Sequence, residues 1–204
     1  MGRYEEQVLP RIIDLAMSGR SLGRLRARAA AGLEGEVLEV GFGSGRNVPY
    51  YPPAVTHVCA VDPATVGRTL AAKRVAASTV PIDYVGLDGQ RLPMEDGSVD
   101  HVLTTWTLCT IPDAGRALHE IRRVLRVGGS LHFVEHGRSP DPGVAAWQDR
   151  LTPLQKRLFG GCHLNRSIDR LVAGSGLELT AMENLYMKGP KPLGYLFVGT
   201  ATKG

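Results

Sequence analysis

The sequence predicts an α/β fold, a doubly wound and mostly parallel sheet with helices on both faces. Three observations carry this. Short apolar runs alternate with stretches of helical periodicity. The first core run ends in a glycine cluster, Gly41-Phe42-Gly43-Ser44-Gly45. The last two apolar runs follow each other as a strand pair. No linker, internal repeat or low-complexity tract divides the 204 residues, so one domain with a short N-terminal appendage is expected.

Residues 1 to 30 are expected to form a helical cover, with Tyr4, Val8, Ile12 and Leu25 on its buried side and a break at Pro10. Arg20, Arg24, Arg26 and Arg28 crowd its second half, and they read as a solvated face on a helix packed by its leucines. Weak peripheral contact of this helix with a membrane surface is the alternative. The main domain then spans 31–204. Its strands are predicted at Val37 to Val40, Val55 to Val61, Pro81 to Val85, Val99 to Thr105 and Leu131 to Glu135. Helices fall between them at Ala64 to Ala77 and after Asp113, the latter with apolar face Ala117, Leu118, Ile121, Val124 and Leu125 and a stop at Gly128-Gly129. A helix from Val144 to Phe159 despite Pro153, a short one from Ser167 to Ala173, and strands at Leu177 to Tyr186 and Gly194 to Ala201 complete the chain.

Composition narrows the function classes. With 43% hydrophobic and 22% charged residues the chain is an ordinary globular one. No run approaches the roughly 20 apolar residues of a membrane span, and Arg3, Glu5, Glu6, Arg11 and Asp14 interrupt any signal-peptide core. A cytoplasmic protein without integral membrane association is therefore expected. Cys59, Cys109 and Cys162 are too few for a disulfide framework. A net charge of +4 does not call for nucleic acid as a partner. Nothing in the pattern sets an oligomeric state.

The glycine cluster follows a buried strand, where a tight turn lets a ligand approach bare backbone. Asp62 ends the next strand, about 20 residues beyond the first glycine, where a carboxylate accepts hydrogen bonds from ribose hydroxyls. A nicotinamide fingerprint would want a small residue at Arg46, so that cofactor is disfavoured. The order Glu39-Val40-Gly41-x-Gly43-x-Gly45, Val61-Asp62, Asp88-Gly89-x-x-Leu92-Pro93, Ser98-Val99-Asp100 and Arg123-Val124-Leu125-Arg126-x-Gly128-Gly129 resembles the class I S-adenosylmethionine-dependent methyltransferases. Tyr51-Pro52-Pro53, Asp62-Pro63, Leu108-Cys109, Glu135-His136 and Gly161-Cys162 extend the likeness to the small thiol methyltransferases related to methyltransferase-like seven. The usual Cys and Thr of the glycine loop are replaced by Phe42 and Ser44. The apolar anchoring segment of the animal relatives has no counterpart here, so membrane residence is not expected to carry over.

The resemblance implies a Rossmann-like sheet of seven strands with an antiparallel last strand, S-adenosylmethionine as cofactor and S-adenosylhomocysteine as product. It places Gly41, Gly43, Ser44, Gly45, Asp62 and Pro63 around the cofactor. Glu39 offers charge complementary to its methionine portion, and Asn47 either reaches the methionine carboxylate or caps the turn. Asp88 and Gly89 fall beside adenine. Thr105 and Trp106 face the cleft, where the indole covers the adenosyl group, forms an acceptor wall or sits in the core. Glu135, His136, Cys162 and His163 are expected around a small-molecule acceptor, with a thiol favoured. His136 is the candidate base, since its ordinary pKa lies near neutrality at about 6.5. No metal is expected: neither Cys162-His163 nor Glu135-His136 has a zinc-site spacing. The alternatives are a phospholipid or small-amine N-methyltransferase and a catalytically silent cofactor-binding interaction protein.

Overall fold

The computed structural model describes residues 8–204. Tyr4, expected in the buried side of the cover, lies outside them. Seven strands form one sheet: β1 (Gly35–Val40), β2 (Val55–Val61), β3 (Ile82–Gly86), β4 (Val99–Thr105), β5 (Leu125–His136), β6 (Glu178–Tyr186) and β7 (Tyr195–Thr202), in the order β3-β2-β1-β4-β5-β7-β6. β7 runs antiparallel to both its neighbours, and the β1–β5 ladders are parallel. The order reverses between β1 and β4, the switch point beyond whose strand ends ligands bind in such sheets.

Helices α1 (Leu9–Ala16) and α2 (Arg20–Ala30) precede the sheet, α3 (Thr65–Ala76) links β2 to β3, and α4 (Ala114–Val124) links β4 to β5. Helices α5 (Pro142–Leu158) and α6 (Ile168–Gly174) lie between β5 and β6. α2 buries Leu22, Leu25, Ala29 and Ala30 on one face of the sheet, against Val37, Val58, Leu103 and Val134. α4 and α6 cover the other face, where Leu118, Ile121, Ile168 and Val172 meet Leu38, Val102 and Phe133. Central strands are thus apolar on both sides, which explains their unbroken hydrophobic runs.

Pro10 sits in the first turn of α1, where its missing N–H has no intrahelical acceptor to lose, and the helical piece expected before it lies outside the described residues. Two local expectations are corrected. Val8 and Ile12 are exposed by 45% and 43%, so Leu9 alone supplies the buried side of α1. Gly128-Gly129 does not stop α4. The chain turns extended at Leu125 and enters β5 directly, with a register shift before Ser130 opposite β4. A Cβ on Gly129 would stand 2.6 Å from the Asp100 carbonyl oxygen, so that glycine permits close strand approach rather than a helix cap. Asp113 does cap α4, accepting the Arg116 N–H at 2.9 Å.

α5 runs through Pro153 and is tied to the exit of β5 by the wholly buried Gln148. Its amide accepts the Ser139 N–H at 2.8 Å and donates to the Gly137 carbonyl at 2.9 Å. Arg166, before α6, donates to the carbonyls of Leu108, Ile111 and Pro112, and so fixes the loop that follows β4.

Candidate active site

The glycine loop joins β1 to the turn at Val48–Tyr50. Gly41, Gly43 and Gly45 all have positive φ, at 82°, 53° and 70°, a region side chains rarely adopt. A Cβ at Gly41 would overlap the Thr107 side chain, and one on Gly67 of α3 would stand 2.8 Å from the Gly43 carbonyl. Loop, helix and post-β4 segment therefore meet at backbone distance. Asp62 closes the cradle: one carboxylate oxygen accepts the Gly43 N–H at 2.7 Å, the other the Ala64 N–H at 2.7 Å. Each oxygen keeps a lone pair for a ribose hydroxyl. Burial raises the Asp62 pKa against the opposing pull of these amides and Arg68. Pro63 is exposed in the turn between β2 and α3. Asp88 is exposed and bonded to Gln90, with Gly89 buried against Val40.

Glu39 and Asn47 are both 1% exposed beneath the loop, and the Asn47 side chain does not cap the turn that follows it. Asn47 donates to Glu39 and to the Thr105 hydroxyl, each at 3.0 Å, and accepts from Arg26 at 2.9 Å. Tyr51 donates its hydroxyl to the other Glu39 oxygen. Arg26 also donates to Thr105 at 3.0 Å and stands 4.8 Å from the Trp106 ring centre. Its Nε is buried without a partner among the described residues. The solvated reading of the arginine helix thus holds for Arg20, Arg24 and Arg28 and fails for Arg26, which is 6% exposed. A signal was present: positions 22, 25, 26 and 29 form one helical stripe, and Arg26 occupies a place in it.

Trp106 has φ 54°, strained for a side-chain-bearing residue, and its indole N–H is buried without a partner among the described residues. The turn that this conformation makes is held from below by Glu135. That carboxylate is fully buried and accepts the N–H groups of Thr107 and Cys109 at 3.0 and 3.1 Å. Both Glu135 oxygens are thus engaged by the loop. Burial raises its pKa against the lowering by these amides.

His136, Cys162 and His163 do come together, with Cys109 as a fourth member that spacing did not reveal. Cys162 Sγ lies 3.6 Å from His136 Nδ1 and 3.7 Å from Cys109 Sγ. His163 packs its Nδ1 3.2 Å from the Cys109 carbonyl. Trp106 and Leu151 border this sulfur cluster. The neighbouring Cys162, then burial, push the Cys109 thiol well above its usual pKa. His136 Nε2 is buried and unpartnered among the described residues. At the other end, Ser44 serves α1 as well as the loop: it donates to Asp14 at 2.5 Å, beside Arg46 Nε at 2.7 Å. Burial would raise the Asp14 pKa, but the bonds from Arg46 and Ser44 outweigh it and hold the carboxyl low.

Burial, opposed by Tyr51, Asn47 and Arg26, raises Glu39 from 4.5 to about 7. A carboxyl held above its unfolded value takes up a proton on folding between those limits. Its contribution to stability is full below about pH 4.5 and is lost as pH rises through about 7. Glu39→Gln does not titrate, so its stability relative to wild type should rise between pH 5 and 7 by roughly 1 kcal/mol per pH unit. Urea midpoints that move in parallel for both proteins would exclude Glu39 as the titrating group.

Residues 38–133 match the family model of the methyltransferase domain. The chain is 33% identical over 184 residues to human thiol S-methyltransferase TMT1B, covering 87% of this chain and 73% of that protein. It is 28% identical over 166 residues to a phosphatidylethanolamine N-methyltransferase of Cereibacter sphaeroides, covering 76% and 77%. A geranyl diphosphate methyltransferase solved in complex with SAM superposes over 100% of this chain and 92% of that one, with a TM-score of 0.73 at 15% identity. The strand order, the glycine cradle closed by Asp62, and these similarities agree: the chain is a class I S-adenosylmethionine-dependent methyltransferase and belongs to the family that contains TMT1B.

Proposed function

We propose that the acceptor is a small, partly apolar thiol. The observation that carries this reading is the similarity to a thiol S-methyltransferase along 87% of the chain. The chemistry of the acceptor end supports it. Trp106, Cys109, Cys162 and Leu164 make that end apolar and sulfur-rich, and its buried carboxylate, Glu135, is spent on backbone amides. An ammonium acceptor would need a carboxylate to hold it and a base to take its proton. A thiol, with a pKa of about 8.5, needs only modest help to become a strong nucleophile.

S-adenosylmethionine supplies a methyl group already activated by its sulfonium. The protein's own part is to align the acceptor, exclude water and accommodate one proton. Gly41, Gly43, Gly45 and Asp62 hold the cofactor, and Trp106 separates its side of the cleft from the acceptor's. His136 is the polar group that meets the acceptor's proton, with Nε2 the nitrogen left unpartnered among the described residues. Residues 8–30 serve as the cover: Asp14 grips the glycine loop through Ser44 and Arg46, and Leu9 and Ile13 approach Gly160 beyond α5.

Asp62→Ala removes two ribose bonds and should weaken cofactor binding by about 1 to 3 kcal/mol, read by calorimetry; equal affinity in a folded variant removes Asp62 from the site. For the cover, S-adenosylhomocysteine should slow amide exchange across 9–16 in wild type and much less in Asp14→Ala. Exchange there that ignores the ligand contradicts a closing helix. For the acceptor, a matched alkyl thiol, phenol and amine are assayed side by side, with and without phospholipid vesicles. Thiol turnover at least tenfold above the others is expected, whereas preference for the amine, above all one that depends on vesicles, selects the lipid N-methyltransferase reading favoured by the Cereibacter relative.

A further inference from the structure

We propose that Cys109, Cys162 and His136 form a three-ligand site for a thiophilic divalent cation with a filled d shell, zinc in the first instance, whose fourth position takes the sulfur of the acceptor. The site stands on its own geometry; only the identity of its fourth ligand rests on the thiol reading above.

The spacing of the three donor atoms is the first argument. A tetrahedral ion with metal–sulfur bonds of about 2.3 Å and metal–nitrogen bonds of about 2.0 Å sets its two sulfurs about 3.8 Å apart, and sulfur and nitrogen about 3.5 Å apart. Here the sulfurs are 3.7 Å apart, and Cys162 Sγ is 3.6 Å from His136 Nδ1. All three donor atoms lie within 4.8 Å of one another. Both cysteines are free.

Convergence is the second. The ligands come from the loop after β4, the end of β5 and the connection after α5, and separate anchors hold each segment. Glu135 binds the Cys109 N–H, Arg166 binds the carbonyls that flank it, and the His163 N–H donates to the Cys109 carbonyl at 2.7 Å. Gln148 fixes the chain just past His136. Two cysteines and one histidine leave an open coordination position, the pattern of a catalytic rather than a structural ion. Another cluster, Glu36, His57 and Cys59, differs in this respect: His57 is already bridged at 2.9 Å to both Glu36 and Asp83.

The cluster borders Trp106 at the carboxyl ends of β4 and β5, beside the cofactor cradle. A thiol that binds the ion there gives its proton to water and becomes a thiolate at neutral pH. Its sulfur then forms a bond to the sulfonium methyl carbon as the carbon's old bond to sulfur breaks, and that electron pair leaves with S-adenosylhomocysteine. The methylated product is a neutral thioether, a weak ligand, and departs. With Nδ1 on the ion, coordination takes over the deprotonation that bare imidazole would otherwise assist.

The test is titration of the reduced full chain with Co²⁺, with a phosphine as reductant. One Co²⁺ per chain is expected, with sulfur-to-cobalt charge-transfer absorption and tetrahedral visible bands. Cys162→Ala and His136→Gln should weaken binding at least tenfold while S-adenosylhomocysteine affinity by calorimetry reports an intact fold. An alkyl thiol should shift the visible bands and an amine should not. Chelation should cut thiol turnover at least tenfold, and one equivalent of Zn²⁺ should restore it. Absence of Co²⁺ binding by reduced wild type, bands unchanged in both variants, or full thiol turnover by metal-stripped protein overturns the site, and the last of these leaves the thiol acceptor standing. Cobalt bands that respond to no thiol, in a protein that methylates none, retain the cation site and remove its fourth ligand.

Discussion

Arg26 is a cation with almost no access to water, and the cofactor half of the cleft is arranged around that fact. Burial lowers its pKa to about 10, which leaves it charged at neutral pH. A buried charge persists only where partners replace its hydration. Asn47, Thr105 and the Trp106 ring supply them, and Glu39, whose pKa burial raises to about 7, offsets part of the charge from the far side of Asn47. These residues belong to α2, the turn after the glycine loop, β1, and the end of β4. One buried side chain thus fixes the helix over the sheet and the loop over the helix at the point where the strand order reverses.

Glu135 does the corresponding work for the acceptor half. Its two oxygens hold the amides of a turn that includes a strained tryptophan, and that turn carries Cys109 toward Cys162 and His136. Glu39, at the end of β1, is bonded to the side chains of Asn47 and Tyr51, and Glu135, like Asp62, to backbone N–H groups of the loop beside it. Asp62 differs from Glu135 in lying at the mouth of the glycine cradle, 8% exposed, where its oxygens keep acceptor capacity.

α1 is attached by different physics. α1 buries little apolar surface, with Leu15 75% exposed, and its grip on the glycine loop is polar, through Asp14. Apolar docking would be worth about 25 cal/mol per Å² buried and would hold the helix down permanently. Partly solvated ion pairs contribute roughly 1 kcal/mol or less. A helix held mainly in the second way is held weakly.

The sequence by itself determined the order of strands and helices, the glycine cradle with Asp62, and through those motifs the family. Each of these is local: apolar runs with period two or continuous burial, positive-φ glycines, an acid at a strand end. Where local signals conflicted, pairing decided. Gly128-Gly129 reads as a helix stop and became a bulge because β4 approaches there. Only the tertiary structure decided which polar groups are supports and which are free. Arg26 turned inward because its stripe faces the sheet, Glu39 and Asn47 consumed each other's bonds, and Cys109, His136 and Cys162 met from three separated segments. Burial and long-range convergence depend on the packing of the whole sheet, and no window of sequence contains them.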